Sequence, residues 1–249
     1  MLKAALGATA LFMPAPYAWV WAQSEGSVKL MRRPKMALVL GNSRYANVPA
    51  LTNPANDARA ISESLTRSGF EVTTRLDGTL EGMNVAIADY VKALAERKEV
   101  GLFYFAGHGL QRAWRNYLVP VEAELRSAGD IQKTCVDLTG LIEGLNKAAN
   151  PMNVVILDAC RDYPFGAEAP KERAGLSQMD APIQTLLAYA TAPGNVASDG
   201  DGANGLYTEN LLREMRVPDA KIEDVFKRVR LKVRLKTSGR QIPWESTSL

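Results

Sequence analysis

Residues 100–109 read VGLFYFAGHG, and residues 153–162 read NVVILDACRD. Each begins as an apolar run of aromatic or β-branched residues without polar alternation. That pattern is expected of a strand buried on both faces of a sheet. Each run then delivers a reactive side chain, His108 in the first and Cys160 in the second. The two segments decide the fold because everything between and around them alternates between strand-like and helix-like patterning.

Working outward, MALVLG (36–41) is a third near-continuous apolar run. Asn53 and Pro54 mark a helix start, Asn as cap and Pro at the first helical position. Ala58, Ile61 and Leu65 give that helix one apolar face to about Ser68, and Gly69 closes it. FEVTTRL (70–76) alternates and suits a strand nearer the sheet edge, and a second helix covers about 80–97. The strand at 100–105 is followed by Gly107-His108-Gly109 and a long stretch of turn signals. Asp137 caps a helix to about Ala149, ahead of the strand at 153–159. TLLAYATA (185–192) reads as a further strand, and helices follow over about 205–216 and 221–236. In the last helix Ile222, Val225, Phe226, Val229 and Val233 share one face, and the cations around them form a solvated face. Strand–helix alternation with apolar strands implies an α/β fold, a three-layer α/β/α sandwich with a mostly parallel central sheet. In such sheets chemistry gathers at the carboxyl ends of the strands, where His108 and Cys160 stand.

Composition narrows the function classes. The chain is 47% hydrophobic and 23% charged, with a formal net charge of +3, which fits an ordinary globular protein. No basic run is interleaved with aromatics, so no nucleic-acid partner is expected. His108 is the only histidine, which excludes multi-histidine metal centres. The two cysteines, Cys135 and Cys160, lack zinc-site spacing. Both are expected free, with Cys135 a packing residue. Residues 1–22 read as a signal peptide, with Lys3 at the start and Val20 and Ala22 before the cut. This predicts an exported protein, periplasmic or extracellular, with no stable membrane span in the mature chain. The alternative is a retained membrane anchor, although Pro14 and Pro16 would kink it. Residues 23–34 form a polar linker.

If the two reactive strands are neighbours, imidazole and thiol meet across a cleft. A histidine that takes the thiol proton leaves a thiolate, a strong nucleophile at neutral pH. The backbone amides of Gly109 and Cys160 are candidates to hold a developing oxyanion. In an extended chain residues two apart share a face, so Asp158 lies on the side of Cys160.

GHG after an aromatic strand, with DACR beginning at Asp158 and Cys160 standing 52 positions beyond His108, resembles the caspase and metacaspase superfamily of cysteine peptidases. LTNPANDARAISESL, NYLVPVEA, AYATAPGNVASDG and RQIPWESTSL are similar to the bacterial members. The resemblance implies a caspase-hemoglobinase-like catalytic domain over residues 35–249. Within it, a large-subunit-like part covers about 35–165, a linker about 166–182, and a small-subunit-like part about 183–249. It further implies a Cys160/His108 dyad, the histidine oriented by a main-chain carbonyl, and polypeptide substrates. Asp57 and Asp158 map onto the primary specificity pocket, which implies cleavage after Arg or Lys. The alternative for Asp57 is a role in its own helix dipole, and for Asp158 a turn cap. Ala106 stands where metacaspases have serine. Lys171 and Arg173, in the polar segment 163–182, are candidate self-cleavage sites. No cofactor is required on this reading. Some metacaspases need calcium, but no EF-hand spacing occurs, and Asp199 and Asp201 read as a solvated turn. The competing function is a catalytically silent caspase-fold binding or scaffold module. A nucleotide-binding domain is disfavoured because GNSRYANVP lacks both GxGxxG and a P-loop lysine.

Overall fold

Met36 to Leu40 carry no polar side chain, and they lie in β1 (Lys35–Gly41) with none more than 7% exposed. Burying side chains of this size contributes roughly 1.5–3 kcal/mol each, which places β1 at the centre of the fold. The computed structural model describes residues 33–160, 176–192 and 202–249, with Cys160 described through its backbone alone. The leader at 1–22, Lys171, Arg173, Asp199 and Asp201 lie outside the described residues. Among those described, no helix is long and apolar enough to cross a membrane.

The chain continues through α1 (Pro54–Arg67), β2 (Phe70–Leu76), α2 (Leu80–Arg97), β3 (Val100–Arg112) and β4 (Arg115–Leu118). Next come the short α3 (Ile131–Thr134), β5 (Val136–Asp137), α4 (Leu138–Ala148) and β6 (Asn153–Cys160). The last elements are β7 (Thr185–Tyr189), α5 (Leu206–Glu214), α6 (Ile222–Lys236) and β8 (Trp244–Thr247). The central order is β2-β1-β3-β6-β7-β8. All neighbours pair in parallel except β8, which runs antiparallel to β7. The expected α/β architecture with a mostly parallel sheet is therefore present, with alternating β2 at an edge.

Side-chain alternation divides the core between the two faces of the sheet. Phe103, Phe105, Val155 and Leu157 pack with Met83, Ile87 and Leu94 of α2 and Leu141 and Leu145 of α4. Leu102, Tyr104, Val154 and Ile156 pack on the other face with α1, α5 and α6, through Ile61, Leu211 and Val229 among others. The chain order turns back at β1, so the connections after β1 and β3 leave in opposite directions. The carboxyl ends at such a reversal are the usual ligand position in sheets of this kind.

Four local expectations are corrected. The third strand does not stop at Phe105 but runs to Arg112. Past Gly41, where β1 ends, β4 pairs antiparallel with residues 109–112 and takes over as neighbour. The stretch read as turns therefore contains β4, α3 and β5. Strand 185–192 pairs only to Tyr189, after which the Ala190 N–H makes a last bond to the Leu157 carbonyl at 3.0 Å. Asn53 already has helical dihedrals (φ −98°, ψ −25°), and its side chain makes no cap bond to α1. The Ser43 hydroxyl instead accepts from the Ala55 N–H at 2.9 Å. The cap at Asp137 is as expected, its carboxylate accepting from the Thr139 N–H at 2.9 Å.

The α6 stripe is buried at Val225, Phe226, Val229 and Val233, but the cationic face is paired more than solvated. Arg228 and Lys232 both meet Glu214 of α5, whose side chain is 3% exposed, while Arg230 meets Glu245 of β8. Lys232 foremost, and Arg228 after it, hold the Glu214 carboxyl below its ordinary value of 4.5 against the opposing cost of burial. Glu214→Gln is expected to cost roughly 1–3 kcal/mol in urea denaturation at pH 7, because two cations lose one buried partner. A depressed carboxyl stabilises above its unfolded value and loses that contribution as pH falls through the folded one. The gap between wild type and variant should therefore close in acid, and a gap unchanged at low pH would contradict the ion-pair account.

Candidate active site

β3 and β6 are neighbours, and their register pairs Ala106 with Asp158, Gly107 with Ala159 and His108 with Cys160. The two segments singled out in the sequence thus end side by side at the carboxyl rim. Gly107 has φ +151°, and a Cβ there would lie 2.6 Å from the Tyr45 hydroxyl and 2.9 Å from the Phe105 ring. Glycine is the residue that tolerates both constraints.

His108 is half-buried and held through both its main chain and its ring. Its N–H donates to the Tyr45 hydroxyl at 2.8 Å, and its carbonyl accepts from the Val119 N–H at 3.0 Å. Its ring Nε2 lies 2.7 Å from the Pro49 carbonyl oxygen. A carbonyl only accepts, so in the neutral ring Nε2 carries the proton and Nδ1 the basic lone pair. Pro49 thus supplies a main-chain carbonyl of the kind the resemblance implied. The His108 carbonyl accepts from Val119 on the β4 side and its N–H faces the same side, so by alternation along β3 the Gly109 amide points away from β4, toward the side of β6. A Cβ at Gly109 would sit 2.9 Å from the Ala159 Cβ and 3.1 Å from Leu176 Cδ2, so this position too is closely packed.

Asp57 and Asp158 are 2% and 8% exposed. They come from the first turn of α1 and the end of β6, and both act on Tyr104. Burial, then the charge of Asp158, then that of Asp57, pushes the Tyr104 phenol well above its usual range. The Thr208 hydroxyl donates to Asp158 Oδ2 at 2.6 Å and accepts from the Tyr104 hydroxyl, also at 2.6 Å. Asp57 Oδ1 accepts from Asn204 Nδ2 and from the Gly205 N–H, both at 2.9 Å. Gly205 is the N-cap of α5, so Asp57 serves the start of α5 as well as lying in the first turn of its own helix. Asp158 joins α5 through Thr208. The charges of both expected carboxylates are therefore felt at Tyr104, and both side chains are tied to the start of α5.

Cys135 is buried among Tyr117, Val119 and Ile131. Burial pushes its thiol up to about 12, with the Thr134 hydroxyl opposing and Glu122 adding to the rise. It is free and stays protonated at neutral pH, as a packing residue should. Among the described residues, no group of three or more His, Cys, Asp or Glu could hold a metal. Tyr45, Pro49, Tyr104, Asn204 and Thr208 were not anticipated from sequence. Tyr45, Pro49 and Asn204 sit in loops whose destination only the packed sheet sets. Tyr104 and Thr208 read as ordinary strand and helix residues.

A family model described as the caspase domain matches residues 34–249. Human mucosa-associated lymphoid tissue lymphoma translocation protein 1 is 26% identical over 198 residues, covering 77% of this chain and 23% of that protein. Its mouse homologue is likewise 26% identical over 198 residues, covering 77% of this chain and 22% of that protein. The chain thus matches less than a quarter of the length of these relatives. The family match, spanning the whole sheet and both of its helical layers, points to cysteine peptidase chemistry, and this chain belongs to the caspase-domain family of peptidases.

Proposed function

We propose that the chain is a cysteine endopeptidase in which Cys160 is the nucleophile, His108 the base, and Arg or Lys the residue before the cut. The observation that carries the reading is the register pairing of His108 with Cys160 at the carboxyl rim, beside two buried carboxylates. In the proposed cycle His108 Nδ1 takes the Cys160 thiol proton, and the thiolate attacks the scissile carbonyl. The amides of Gly109 and Cys160 hold the oxyanion. Collapse of this intermediate breaks the peptide bond, and His108 passes its proton to the departing amine. Water then attacks the thioester with His108 again as base, which releases the acid and restores the thiol.

Basic specificity follows from charge. Asp57 and Asp158 are buried carboxylates whose charges are both felt at the Tyr104 hydroxyl, so this side of the rim carries negative potential. A guanidinium or ammonium from the substrate answers that potential with charge-assisted hydrogen bonds. Export through the leader and self-cleavage at Lys171 or Arg173 belong to the same proposal. These steps require no cofactor.

The test compares residues 23–249 with the Cys160→Ala variant on matched fluorogenic peptides ending in Arg or Asp. Hydrolysis of the Arg peptide by wild type alone is the expected result. Faster turnover of the Asp peptide would defeat the pocket assignment. A folded wild type that cleaves neither peptide, and whose Cys160 resists a thiol-directed peptidyl inhibitor, would favour the silent scaffold.

A further inference from the structure

β1 ends at Gly41, opposite Ala106, but β3 runs on. The His108 N–H faces the side on which β1 has stopped, and a part-buried amide there without an acceptor would cost roughly 1–3 kcal/mol. The Tyr45 hydroxyl fills the place of the missing strand carbonyl, 2.8 Å from the His108 nitrogen. The same side chain lays its ring against the imidazole, with centroids 4.6 Å apart and planes at 53°. One residue thus touches both the main chain and the ring of His108. Gly107 is what permits it, since a Cβ at 107 would come within 2.6 Å of the Tyr45 hydroxyl.

Tyr45 is itself held in place. It is 8% exposed, and the residues before it are gripped by Asp77. That carboxylate accepts from the N–H groups of Ser43 and Arg44, each at 2.9 Å, and pairs with Arg44 Nε at 2.7 Å. On the other side the Ala46 N–H donates to the Val121 carbonyl at 2.8 Å. The loop that carries Tyr45 also carries Pro49, whose carbonyl oxygen meets His108 Nε2.

We infer that Tyr45 is a positioning residue that sets the orientation of His108 and so keeps Nε2 against the Pro49 carbonyl that fixes the tautomer. The role rests on the peptidase reading above, because orientation matters where Nδ1 must reach a thiol proton. Proton transfer needs hydrogen-bond reach, and a displacement of about 1 Å costs on the order of 10²-fold in rate. Tyr45 touches no reacting atom on this account and acts only through His108.

Because His108 is the single histidine, ¹⁵N-histidine labelling reports one ring and one amide. In wild type the ring should appear as the Nε2–H tautomer, and the His108 amide should be protected from exchange. Tyr45→Phe keeps the ring and removes the acceptor. It should shift the ring toward mixed tautomers and lower kcat about 10-fold to 10²-fold with KM little changed. Amide exchange at His108 should rise by at least about 10-fold as the bond is lost. Unaltered tautomer and kcat in the folded variant would overturn the inference. An unprotected His108 amide in wild type would do so without any variant, which covers the case in which Tyr45→Phe does not fold. If the ring responds to Tyr45→Phe but wild type cleaves no arginyl peptide, the positioning role stands and the peptidase reading falls. If wild type cleaves but neither ring nor kcat responds, the reverse holds.

Discussion

His108→Gln is expected to leave a folded chain whose kcat on an arginyl peptide is lower by on the order of 10³-fold. Glutamine keeps a planar N–H donor for the Pro49 carbonyl and a backbone N–H for the Tyr45 hydroxyl, two of the contacts that seat His108. What it removes is the titratable nitrogen. The loss should therefore fall on kcat, with KM nearly unchanged, since Asp57 and Asp158, the proposed pocket residues, remain. Without an imidazole partner the Cys160 thiol should alkylate as an ordinary cysteine, with an apparent pKa near ~8.5. Mass spectrometry of iodoacetamide labelling against pH gives that value directly. The second cysteine does not confuse the reading, because burial pushes Cys135 up to about 12. A variant that retains wild-type kcat would remove His108 from the mechanism.

Asp158→Asn carries the second large effect, on selectivity instead of proton transfer. The side chain is 8% exposed and accepts from Thr208 at 2.6 Å. An amide oxygen can accept that same bond in the same volume, so the Tyr104–Thr208 chain survives and stability changes little. The lost charge is felt by a buried guanidinium, which should lower kcat/KM for Arg peptides about 10²-fold, equivalent to ~3 kcal/mol. A peptide with a neutral residue before the cut should be affected far less. Equal losses on both peptides would mean that Asp158 supports the fold and not the pocket. Asp57 is the poorer probe of the same idea, because its carboxylate also holds Asn204 and the start of α5. Its replacement mixes lost binding with lost stability.

Strands 36–41, 70–76 and 153–159 were legible because burial on two faces, or on one, writes itself into local hydrophobic periodicity. The same is true of the helix at 80–97, whose Thr79 side chain accepts from the Gly82 N–H at the start. β4 and β8 were not legible. RNYL and WEST are four residues each, with mixed polarity, and each is a strand only because a longer neighbour offers an open edge. The extension of β3 past His108 was hidden for the same reason, since it depends on where β1 stops.

Local pattern alone determined the layered α/β architecture, the rim of the sheet to inspect, and His108 and Cys160 as the proposed pair on that rim. Those features follow from short-range periodicity and from the scarcity of histidine and cysteine in the chain. The tertiary structure decided that Pro49 and Tyr45 hold His108 and that Asp158 meets Tyr104 and Thr208. It also tied both carboxylates to α5, where Asn204 lies 147 positions from Asp57. Such contacts join loops and helix ends far apart in the chain, and no repeat of two or 3.6 residues records them.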